Sequence, residues 1–571
     1  MKDLIEMTLK SSSNWVLPSE KVHENISEYI LKKRGLDIKQ FLNSSLKDIP
    51  SFEKLFDSKS AAQQILQAIK DKKKIVIHGD FDADGICSVS ILWEFLYKEV
   101  SKVLDIDIDV VPYIPSRVDQ GYGLTQSSIN DVLELNGQLL ISVDCGVRDG
   151  DLIKKVNEES GLQFVITDHH QPSEDLEERL DFTLVHPMYP NHEYSYTQVC
   201  GTYVTFLLIQ SIKSQLGMDT EIREDTPGLD LVAMATVTDL MPLLEVNRTV
   251  VKYGIKQIKE GKRLGLKELI NISGIDIKEL DSYHLGYILG PRINAAGRIG
   301  SPLDAVKLLV SEKEDVCKHI SNILNETNFQ RQHMTQEGLD EAESIIEEST
   351  DKLLFVVGDN WHEGIVGLIA GKLNEKYHRP VLVGTRNEEG IRGSARSIKG
   401  FNITKTLAKC DKYLDRYGGH ELAAGFTVKV GKEKEFSKCI HEISEKMITD
   451  EMLIKDLNID LLLSSENIDR RLVEELDILK PFGYGFSKPL IAMTELIVFK
   501  KKIMGKLGNH MKLLCKGEGI DLITLVLFNC DEDSDTINED DRIDVVGGVG
   551  INSWNGNEDI QFLVKEWRYS T

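Results

Sequence analysis

The chain has 571 residues, too many for one hydrophobic core, so we expect three or four domains. Its composition, 41% hydrophobic and 28% charged, is typical of a soluble globular protein. No apolar run is long enough to span a bilayer, and Met1–Ser11 lacks the apolar stretch of a signal peptide. We therefore expect a cytoplasmic protein with no membrane partner.

The net charge of −24 argues against a generic nucleic-acid-binding protein, which would carry a basic face. Part of the negative charge lies in residues 531–544, and part in the acidic clusters described below, where bound cations would offset it. The eight cysteines form no C-x-x-C pair. Their scatter argues against zinc ribbons and against a disulfide framework, and it suits a reducing cytoplasm.

Residues 1–60 predict an N-terminal helical segment, with Trp15 and Leu17 as its anchors onto the domain that follows. In residues 61–262 short apolar runs alternate with helix-compatible stretches, which predicts an α/β domain with a parallel sheet. Within it Asp105–Ile114 alternates like a strand. Residues 263–345 are predicted to be mostly helical and to include a long connecting helix.

A dense group of metal-binding side chains follows the first apolar strand. Residues 74–85 read KIVIHGDFDADG, which places His78, Asp80, Asp82 and Asp84 on alternate positions. Carboxylates and an imidazole this close repel one another unless cations neutralise them. The run therefore predicts a metal site, with Asp80 either a ligand or a residue that orients the ligands.

Similar side chains stand at three later positions. The carboxyl ends of parallel strands meet at one edge of a sheet, so we expect these groups to converge. An aspartate after a strand is usually a helix N-cap, which is the alternative for Asp168 alone, and His186 and His192 are interpreted as loop histidines. The three groups are Asp144 after Leu139–Val143, Asp168-His169-His170 after Phe164–Thr167, and Asp239 after the apolar helical stretch Leu229–Val237.

The residue types favour particular cations. Two divalent cations about 3.5–4 Å apart activate a water, orient a phosphodiester and stabilise the leaving oxygen. Mixed imidazole and carboxylate ligands suit Mn²⁺ better than they suit Mg²⁺, which prefers oxygen ligands alone. We therefore expect two divalent cations, with Mn²⁺ favoured and Mg²⁺ as the alternative.

Together these motifs resemble the DHH phosphoesterase superfamily, whose defining triplet is Asp168-His169-His170 in this chain. Within it, the chain is most similar to the bacterial single-strand-specific 5′→3′ DNA exonucleases, over nearly its whole length. The resemblance implies that Asp144 bridges the two cations, that His170 faces the scissile phosphate, and that Asp80 supports the ligands. It implies these ligand sets: His78, Asp82 and Asp144 for one cation, and Asp84, Asp144, His169 and Asp239 for the other.

Residues 290–298, which read GPRINAAGR, are predicted to bind phosphates. Arg292 and Arg298 can pair with phosphate oxygens, and the small residues allow close approach of a backbone. The alternative from the residues alone is a helix end with surface arginines. Because the family carries this string beside its catalytic cleft, the resemblance implies that Arg292, Asn294 and Arg298 contact substrate.

A second α/β domain is predicted over residues 346–450, as a substrate-binding domain. Ser394 and Arg396 lie two apart on a predicted strand and so share a face. The resemblance implies that they form, with Arg117, a pocket for the 5′-terminal phosphate. The string Gly418-Gly419-His420 resembles the signature of the DHHA1 domain, and its glycine pair predicts an anion-binding nest.

Residues 451–571 are rich in predicted strands and suggest an OB-fold barrel that binds single-stranded DNA. The barrel carries a lysine cluster and late aromatic residues, although such a charge run is usually only a solvated face. Related chains have Asn-Pro after the PFG-x-G string, where this chain has Phe486-Ser487, so the local turn is expected to differ. The cluster comprises Lys500, Lys501, Lys502, Lys506, Lys512 and Lys516, and the aromatics are Phe528, Trp554, Phe562 and Trp567.

The predicted protein is thus a monomeric α/β enzyme: a DHH parallel-sheet domain and a DHHA1 domain joined by a long helix, with a C-terminal β-barrel. The resemblance implies a 5′→3′ exodeoxyribonuclease that releases 5′-mononucleotides from single-stranded DNA in recombination and repair, with a helicase and a single-strand-binding protein as candidate partners. One alternative is a phosphodiesterase of short oligoribonucleotides or cyclic dinucleotides, but such relatives are shorter and lack the barrel. A pyrophosphatase would leave the barrel unused. The other alternative is a non-catalytic scaffold of a replication complex, which retention of every ligand disfavours.

Overall fold

The computed structural model describes most of the chain. The described residues are 9–10, 13–19, 25–116, 123–173, 182–190, 193–346, 349–505, 508–517, 522–530, 532–554 and 557–570. Among them, no helix is both long and apolar enough to cross a membrane.

The strands form three larger sheets and one strand pair. In chain order they are β1 (Leu9–Lys10), β2 (Asn14–Val16), β3 (Ile75–Gly79), β4 (Val110–Tyr113), β5 (Leu139–Val143), β6 (Gln163–Thr167), β7 (Thr183–Val185), β8 (Leu354–Asp359), β9 (Val381–Asn387), β10 (Gly390–Arg396), β11 (Leu414–Gly419), β12 (Ala423–Val428), β13 (Asp456–Asn458), β14 (Leu461–Leu462), β15 (Ile491–Met504), β16 (His510–Lys516), β17 (Leu522–Leu527), β18 (Arg542–Trp554) and β19 (Asn557–Tyr569).

The helices cover the sheets and connect the domains. In chain order they are α1 (Ile26–Lys33), α2 (Ile38–Leu42), α3 (Ser58–Lys70), α4 (Ala83–Glu94), α5 (Ser101–Leu104), α6 (Gln126–Glu134), α7 (Gly150–Ser160), α8 (Gly201–Gln215), α9 (Leu229–Thr238), α10 (Glu245–Lys259), α11 (Leu264–Ile272), α12 (Ser282–His284), α13 (Gly290–Ile299), α14 (Pro302–Val310), α15 (Glu314–Ile346), α16 (Glu363–Tyr377), α17 (Ile403–Ala408), α18 (Glu433–Met447) and α19 (Arg470–Asp477).

The chain divides into two compact units. The first comprises Arg34–Asn328 and Ile478–Lys488. The second comprises the described residues before Arg34 together with Phe329–Asp477 and Pro489–Thr571. The predicted connecting helix is confirmed as α15, whose 33 residues carry the chain from the first unit into the second.

The first unit is built on a parallel sheet with the strand order β4-β3-β5-β6-β7. Strands β3 and β5 are buried along their whole length, as their unbroken apolar runs predict for a sheet covered on both faces. The predicted strand over Asp105–Ile114 is shorter in the structure, where only β4 pairs with β3. Asp105, in the left-handed region at φ 54°, ends α5 instead.

The segment Ile478–Lys488 packs within the first unit, although the sequence places it near the start of the terminal domain. The guanidinium of Arg248 lies 3.8 Å from the ring centre of Phe41 and donates hydrogen bonds to the carbonyl oxygens of Lys480 and Pro481. Arg34 lies over the ring of Phe486 at 4.8 Å. Phe486, at the position where related chains were expected to have Asn, thus supplies a ring to this cation–π arrangement.

In the second unit, β8 to β12 form a sheet with the order β11-β12-β10-β9-β8, in which only β8 and β9 pair in parallel. Its apolar core includes the fully buried Phe401 and Phe436. One departure from the sequence prediction is a disulfide between Cys410 and Cys439. The cysteine count did not indicate it, because the two residues are 29 positions apart and meet only when α18 folds over the sheet.

The C-terminal barrel is confirmed. Strand β15 pairs with β16 and β18, β16 with β17, β17 with β19, and β19 with β18, which closes the ring. The prediction that Trp15 and Leu17 anchor onto the following domain is wrong. Trp15 instead donates a hydrogen bond to Glu566 of β19 and is buried in the second unit, while Leu17 is exposed, because β2 pairs with β13 there.

Candidate metal centre

The loop after β3 is shaped by tight backbone packing. Asp82 is the N-cap of α4, and its side chain accepts hydrogen bonds from the amides of Asp84 and Gly85. A Cβ on Gly85 would lie 2.3 Å from the carbonyl oxygen of Asp80, so this position requires glycine. The loop consequently holds Asp80, Asp82 and Asp84 close together at the amino end of α4.

Asp144 stands at the end of β5 in an unusual conformation. Its φ is 65°, in the left-handed region that residues other than glycine rarely adopt. Its amide donates to the carbonyl of Thr167 on β6, which fixes the turn. A Cβ on Gly201 would lie 2.5 Å from Oδ1 of Asp144, so α8 can begin against this carboxylate only because residue 201 is glycine.

His169 gathers carboxylates from three different elements. Its Nε2 lies 3.1 Å from Oδ1 of Asp144, 3.6 Å from Oδ2 of Asp239 and 3.7 Å from Oδ2 of Asp84. Three groups of described residues each bring ligand atoms within 4.8 Å of one another. They are Asp84, His169 and Asp239; Asp80, Asp82 and Asp144; and Asp144, His169 and His170.

The amino end of α8 binds the carboxylate of Asp84. The amide of Gly201 donates to Oδ2 at 2.6 Å and that of Thr202 to Oδ1 at 2.7 Å. The hydroxyl of Thr202 donates to Oδ1 as well, at 2.6 Å. A helix N-terminus stabilises an anion through its free amides and its dipole. The sequence analysis missed Gly201 and Thr202 as residues of this site. The pattern that could have indicated them is a pair of small residues at the start of an apolar helix.

Asp168 and His186 surround His170. Oδ1 of Asp168 accepts from Nδ1 of His170 at 2.8 Å and from the amides of His169 and His170, and Oδ2 accepts from the amide of Val147. Asp168 caps no helix among the described residues that follow it, and its hydrogen bonds instead orient His170. His186 is fully buried and bonds the carbonyl of His170.

His78 belongs to none of the three ligand groups, although its side chain is fully buried in the same strand end. Its Nδ1 lies 3.6 Å from Sγ of Cys145, whose sulfur also lies 3.2 Å from Oγ of Ser142. Burial lowers the pKa of His78 to about 4, so the ring is neutral at physiological pH. A neutral imidazole whose Nδ1 faces a sulfur presents Nε2 as the ligand atom.

Burial and mutual repulsion raise the pKa of three carboxyls. The pKa of Asp144 is raised by burial first and then by the nearby Asp84 and Asp82, and the same causes raise the pKa of Asp239. Burial and Asp84 raise the pKa of Asp82. Burial lowers and the hydrogen bond to Asp168 raises the pKa of His170, with a net upward shift. The buried carboxyls are therefore stabilised either by protonation or by bound cations.

The donor set fits divalent cations. Four buried ligand atoms make no hydrogen bond within the described part of the chain: Nε2 of His78, Oδ1 of Asp144, Nε2 of His169 and Oδ2 of Asp239. A buried polar atom without a hydrogen bond costs about 1–3 kcal/mol. Coordination of divalent cations would satisfy all four atoms and remove the repulsion between the carboxylates.

Residues 290–298 form most of α13, which supports the metal-site loop. A Cβ on Gly297 would lie 2.0 Å from the carbonyl of Phe81, and Asn294 accepts a hydrogen bond from the amide of Ala83. Gly297 therefore allows close approach of the metal-site loop, and contact of this segment with a substrate stays a prediction. Arg292 donates to Asn325 and to the carbonyl of Ile288, and Arg298 is half-buried.

In the second unit, Ser394 and Arg396 share one face of β10, as predicted. Nη1 of Arg396 donates to Oγ of Ser394 and to the carbonyl of Ala395, both at 2.9 Å. A Cβ on Gly367 of α16 would lie 3.3 Å from Oγ of Ser394, so the missing side chain leaves access to this pair. Arg117, the predicted third member, lies outside the described residues.

The glycine pair Gly418-Gly419 does not form the predicted nest. Both residues are in β11, where they pair with Gly425 and Ala424 of β12, so the two amides alternate in direction and cannot converge on one anion. Gly419 has a φ of 148°, and a Cβ there would lie 2.3 Å from the carbonyl of Ala423. His420 follows on an exposed hairpin.

The lysines of the barrel are divided by the strand register. Lys501 pairs with the buried Leu513, and its Nζ donates to the carbonyls of Asp535 and Ile537. Phe562 and Trp567 are fully buried core residues, so the prediction of late aromatics beside the lysines is wrong for them, whereas Phe499, beside a register shift in β15, is 64% exposed. Lys506 and the side chain of Trp554 lie outside the described part. The outward positions define a barrel lysine face: Lys500, Lys502, Lys512 and Lys516.

Comparison with known proteins identifies the parts. Residues 74–236 match the DHH family, N-terminal domain; residues 350–446 match the DHHA1 domain; and residues 459–566 match the RecJ OB domain. The "Single-stranded-DNA-specific exonuclease RecJ" of Bacillus subtilis is 34% identical over 94% of this chain and 67% of its own length.

Two solved structures are similar. RecJ in complex with Mn²⁺ from Thermus thermophilus has a TM-score of 0.80 at 24% identity, over 99% of this chain and 80% of that one, and shares the fold. An exonuclease RecJ bound to manganese has a TM-score of 0.59 at 27% identity, over 69% of this chain and 96% of that one.

The parallel sheet with Asp and His residues at its strand ends, followed by a DHHA1 domain, defines a DHH phosphoesterase. The terminal barrel narrows the class further. The chain belongs to the RecJ family.

Proposed function

We propose that this protein is a single-stranded-DNA-specific exonuclease that hydrolyses phosphodiester bonds at a centre of two divalent cations. The observation that carries the proposal is the cluster of Asp84, Asp144, His169 and Asp239, whose ligand atoms converge at the strand ends. Membership in a family of single-stranded-DNA-specific exonucleases supports the substrate class.

We propose two ligand sets, of which the one around His169 is supported by this geometry and the one with His78 is implied by the family resemblance. His78, Asp82 and Asp144 would hold one cation, and Asp84, Asp144, His169 and Asp239 the other. Asp80 lies close enough to Asp82 and Asp144 to contribute directly. When bound, the cations supply a nucleophilic water and stabilise negative charge on the reacting phosphate. Mn²⁺ is the favoured cation because the proposed ligands mix imidazole with carboxylates. Relatives with this fold have been solved with Mn²⁺ and with Mg²⁺.

His170 is proposed to act on the phosphate and not on a cation. Asp168 accepts a hydrogen bond from Nδ1, so Nε2 is the ring nitrogen that would donate to a phosphate oxygen. The upward pKa shift favours the protonated imidazolium, which can donate a hydrogen bond to the developing charge. Asp168 fixes the orientation of the ring, because it bonds both the ring and the amide of the same residue.

Substrate contacts are proposed at two further places. Ser394 and Arg396, with Arg117, would bind the 5′-terminal phosphate and give 5′→3′ polarity with release of mononucleotides. Arg292, Asn294 and Arg298 would place the chain of phosphates near the metal loop, and the hairpin of Gly418, Gly419 and His420 would contribute exposed polar groups. Recognition of a phosphate by an arginine beside a hydroxyl follows the usual charge-assisted pattern.

We propose that the protein acts as a monomer in the cytoplasm during DNA recombination and repair, with a helicase to supply single strands and a single-strand-binding protein as partners. A helicase would supply the substrate from duplex DNA, because an enzyme specific for single strands does not itself open a duplex. The barrel would hold the strand.

The test is cleavage of 5′- or 3′-labelled single-stranded and duplex DNA with Mn²⁺. We expect mononucleotides from the 5′ end of the single strand, no cleavage of blunt duplex, and no activity after chelation. Release of oligonucleotides, or equal attack on both ends, would contradict the proposal. The Asp144→Ala variant serves as the inactive control.

The 5′ end is tested with Arg396→Ala on substrates with a 5′-phosphate or a 5′-hydroxyl. We expect the variant to lose activity on the phosphorylated end and to change little on the hydroxyl end. An equal loss on both substrates would remove Arg396 from end recognition. The matched control is Arg386→Ala, which alters an exposed arginine of the neighbouring strand β9 that pairs with Asp359 of β8 and with Glu433 of α18.

A further inference from the structure

His186 has no place in the ligand sets or in the proposed substrate contacts, yet it is fully buried directly after β7. The amide of Met188 donates to its Nδ1 at 3.0 Å, and its Nε2 lies 3.0 Å from the carbonyl oxygen of His170. Because Nδ1 accepts a hydrogen bond, the proton of the neutral ring is on Nε2 and is donated to that carbonyl. Burial lowers the pKa of His186 to about 4, consistent with a neutral ring.

This hydrogen bond holds a part of His170 that Asp168 does not contact. Asp168 binds the amide and Nδ1 of His170, while His186 binds its carbonyl. The backbone of His170 is thus bound at both its amide and its carbonyl, and its ring at one nitrogen. These contacts restrict rotation of the His170 imidazole. Small changes in its orientation would alter the distance from the ring to a substrate phosphate.

An apolar side chain at residue 186 could fill the same space but could not donate to the carbonyl of His170. That carbonyl would then lose this hydrogen bond in a partly buried place, and the peptide after His170 would be less restrained. None of the three ligand groups contains His186, so loss of its hydrogen bond affects His170 more directly than it affects metal binding.

We propose that His186 is a positioning residue, which orients His170 toward the scissile phosphate through the hydrogen bond from Nε2 to the His170 carbonyl. The proposal rests on the proposed hydrolase function and assigns His186 no contact with substrate or metal. Glutamine can replace the imidazole in part, because its amide nitrogen donates and its oxygen accepts.

The experiment compares the full chain with His186→Phe, which keeps a ring but removes both nitrogens, and with His186→Gln. Three quantities are measured: kcat and KM on 5′-phosphorylated single-stranded DNA, and the rise in Tm on addition of Mn²⁺. We expect His186→Phe to lower kcat by ~10–100-fold, as for other residues that orient a reactive group, with KM and the Mn²⁺-induced rise unchanged. We expect His186→Gln to recover most of the lost kcat.

Thr183→Val is the matched control, since Thr183 is in the strand that precedes His186 and its hydroxyl donates to Gln64, away from His170. Wild-type kcat in His186→Phe would overturn the inference. So would joint loss of kcat and of the Mn²⁺ effect, or a glutamine variant as slow as the phenylalanine one. His186→Leu repeats the comparison if the phenylalanine variant does not fold. Failure of the wild-type protein to cleave DNA would instead refute the proposed function.

Discussion

Asp144 combines two unfavourable features that a bound cation would offset. Its backbone is in the left-handed region, where a residue with a side chain is strained by about 1–3 kcal/mol. Its carboxyl is buried beside Asp84 and Asp82, which raises its pKa. Such features persist only where the surrounding structure enforces them, as the hydrogen bond from the Asp144 amide to the Thr167 carbonyl and the start of α8 do here.

The Asp144→Asn variant separates stability from function. We expect the metal-free variant to have a higher Tm than the wild-type protein, since a neutral amide removes the repulsion and asparagine tolerates the left-handed region. Mn²⁺ at about 100 times its Kd should stabilise the wild-type protein by ~2.7 kcal/mol and the variant hardly at all. Differential scanning fluorimetry with and without Mn²⁺ measures both effects. Equal Mn²⁺ effects in the two proteins would contradict the bridging role.

The same pair of proteins gives a pH dependence. The native metal-free protein keeps the proton of Asp144 to a higher pH than the unfolded chain does, so it binds more protons between the two pKa values. The free energy of unfolding must therefore fall as pH rises through that window. The lowered pKa of His78 makes the free energy of unfolding rise with pH between about pH 4 and pH 6.5. Because His78 is present in both proteins, its contribution cancels in the difference between them.

We expect the advantage in Tm of Asp144→Asn over the wild-type protein, both metal-free, to grow as the pH is raised from about 5 to about 8. A Tm difference that stays constant over this range would mean that the carboxyl is already ionised at the lower pH. Repeating the scan with Mn²⁺ is the control, since coordination should abolish the trend in the wild-type protein.

At the scale of elements, strand ends supply the acidic and imidazole groups, and helix starts hold them. Asp82 caps α4, and the first amides of α8 bind Asp84. The sequence predicted the strand ends because apolar runs followed by Asp or His are local patterns. It could not predict that α8 begins against Asp84, because that contact joins residues 117 positions apart. The approach of Gly297 to Phe81 is missed for the same reason.

Gly201→Ala tests this arrangement. The added Cβ would lie 2.5 Å from Oδ1 of Asp144, so the start of α8 must move away from both carboxylates. We expect the affinity for Mn²⁺ to fall by ~10–100-fold, as when other groups that support ligands are changed. Titration of the Tm with Mn²⁺ measures this. Gly371→Ala, in α16 with open space where its Cβ would lie, is the control and should gain ~0.5–1 kcal/mol of stability.

At the scale of the whole molecule, the chain has a net charge of −24 although it belongs to a family that acts on DNA. The sequence predicted the terminal barrel from its strands and turns, but not which residues face outward. The strand register decides that: Lys501 is directed inward, while Lys500, Lys502, Lys512 and Lys516 are directed outward. Lys502 stands directly opposite Lys512, an unfavourable pairing of like charges that a bound polyanion would relieve.

The barrel lysine face is therefore expected to bind the phosphates of a single strand. Truncation of the barrel is a poor test, because Ile478–Lys488 packs in the first unit and β2 pairs with β13 in the second. Instead, the four lysines are changed together to glutamine. For each phosphate contact with a single strand that is removed, the slope of log K against log salt concentration becomes shallower by ~0.7. We expect the variant to bind a fluorescent ~40-mer with a shallower slope, and to cleave short oligonucleotides normally, since no proposed ligand lies on this face.

The control must change the same net charge elsewhere. Lys318, Lys352, Lys432 and Lys438 are each paired with an acidic side chain, so their substitution by glutamine removes four charges without touching the barrel lysine face. If both variants shift the slope equally, the effect comes from net charge and the barrel has no strand-binding face. If only the barrel variant does so, local charge on one face determines where an acidic protein holds DNA. Phe499→Ala then tests stacking, because a lost base contact lowers affinity while leaving the salt slope unchanged.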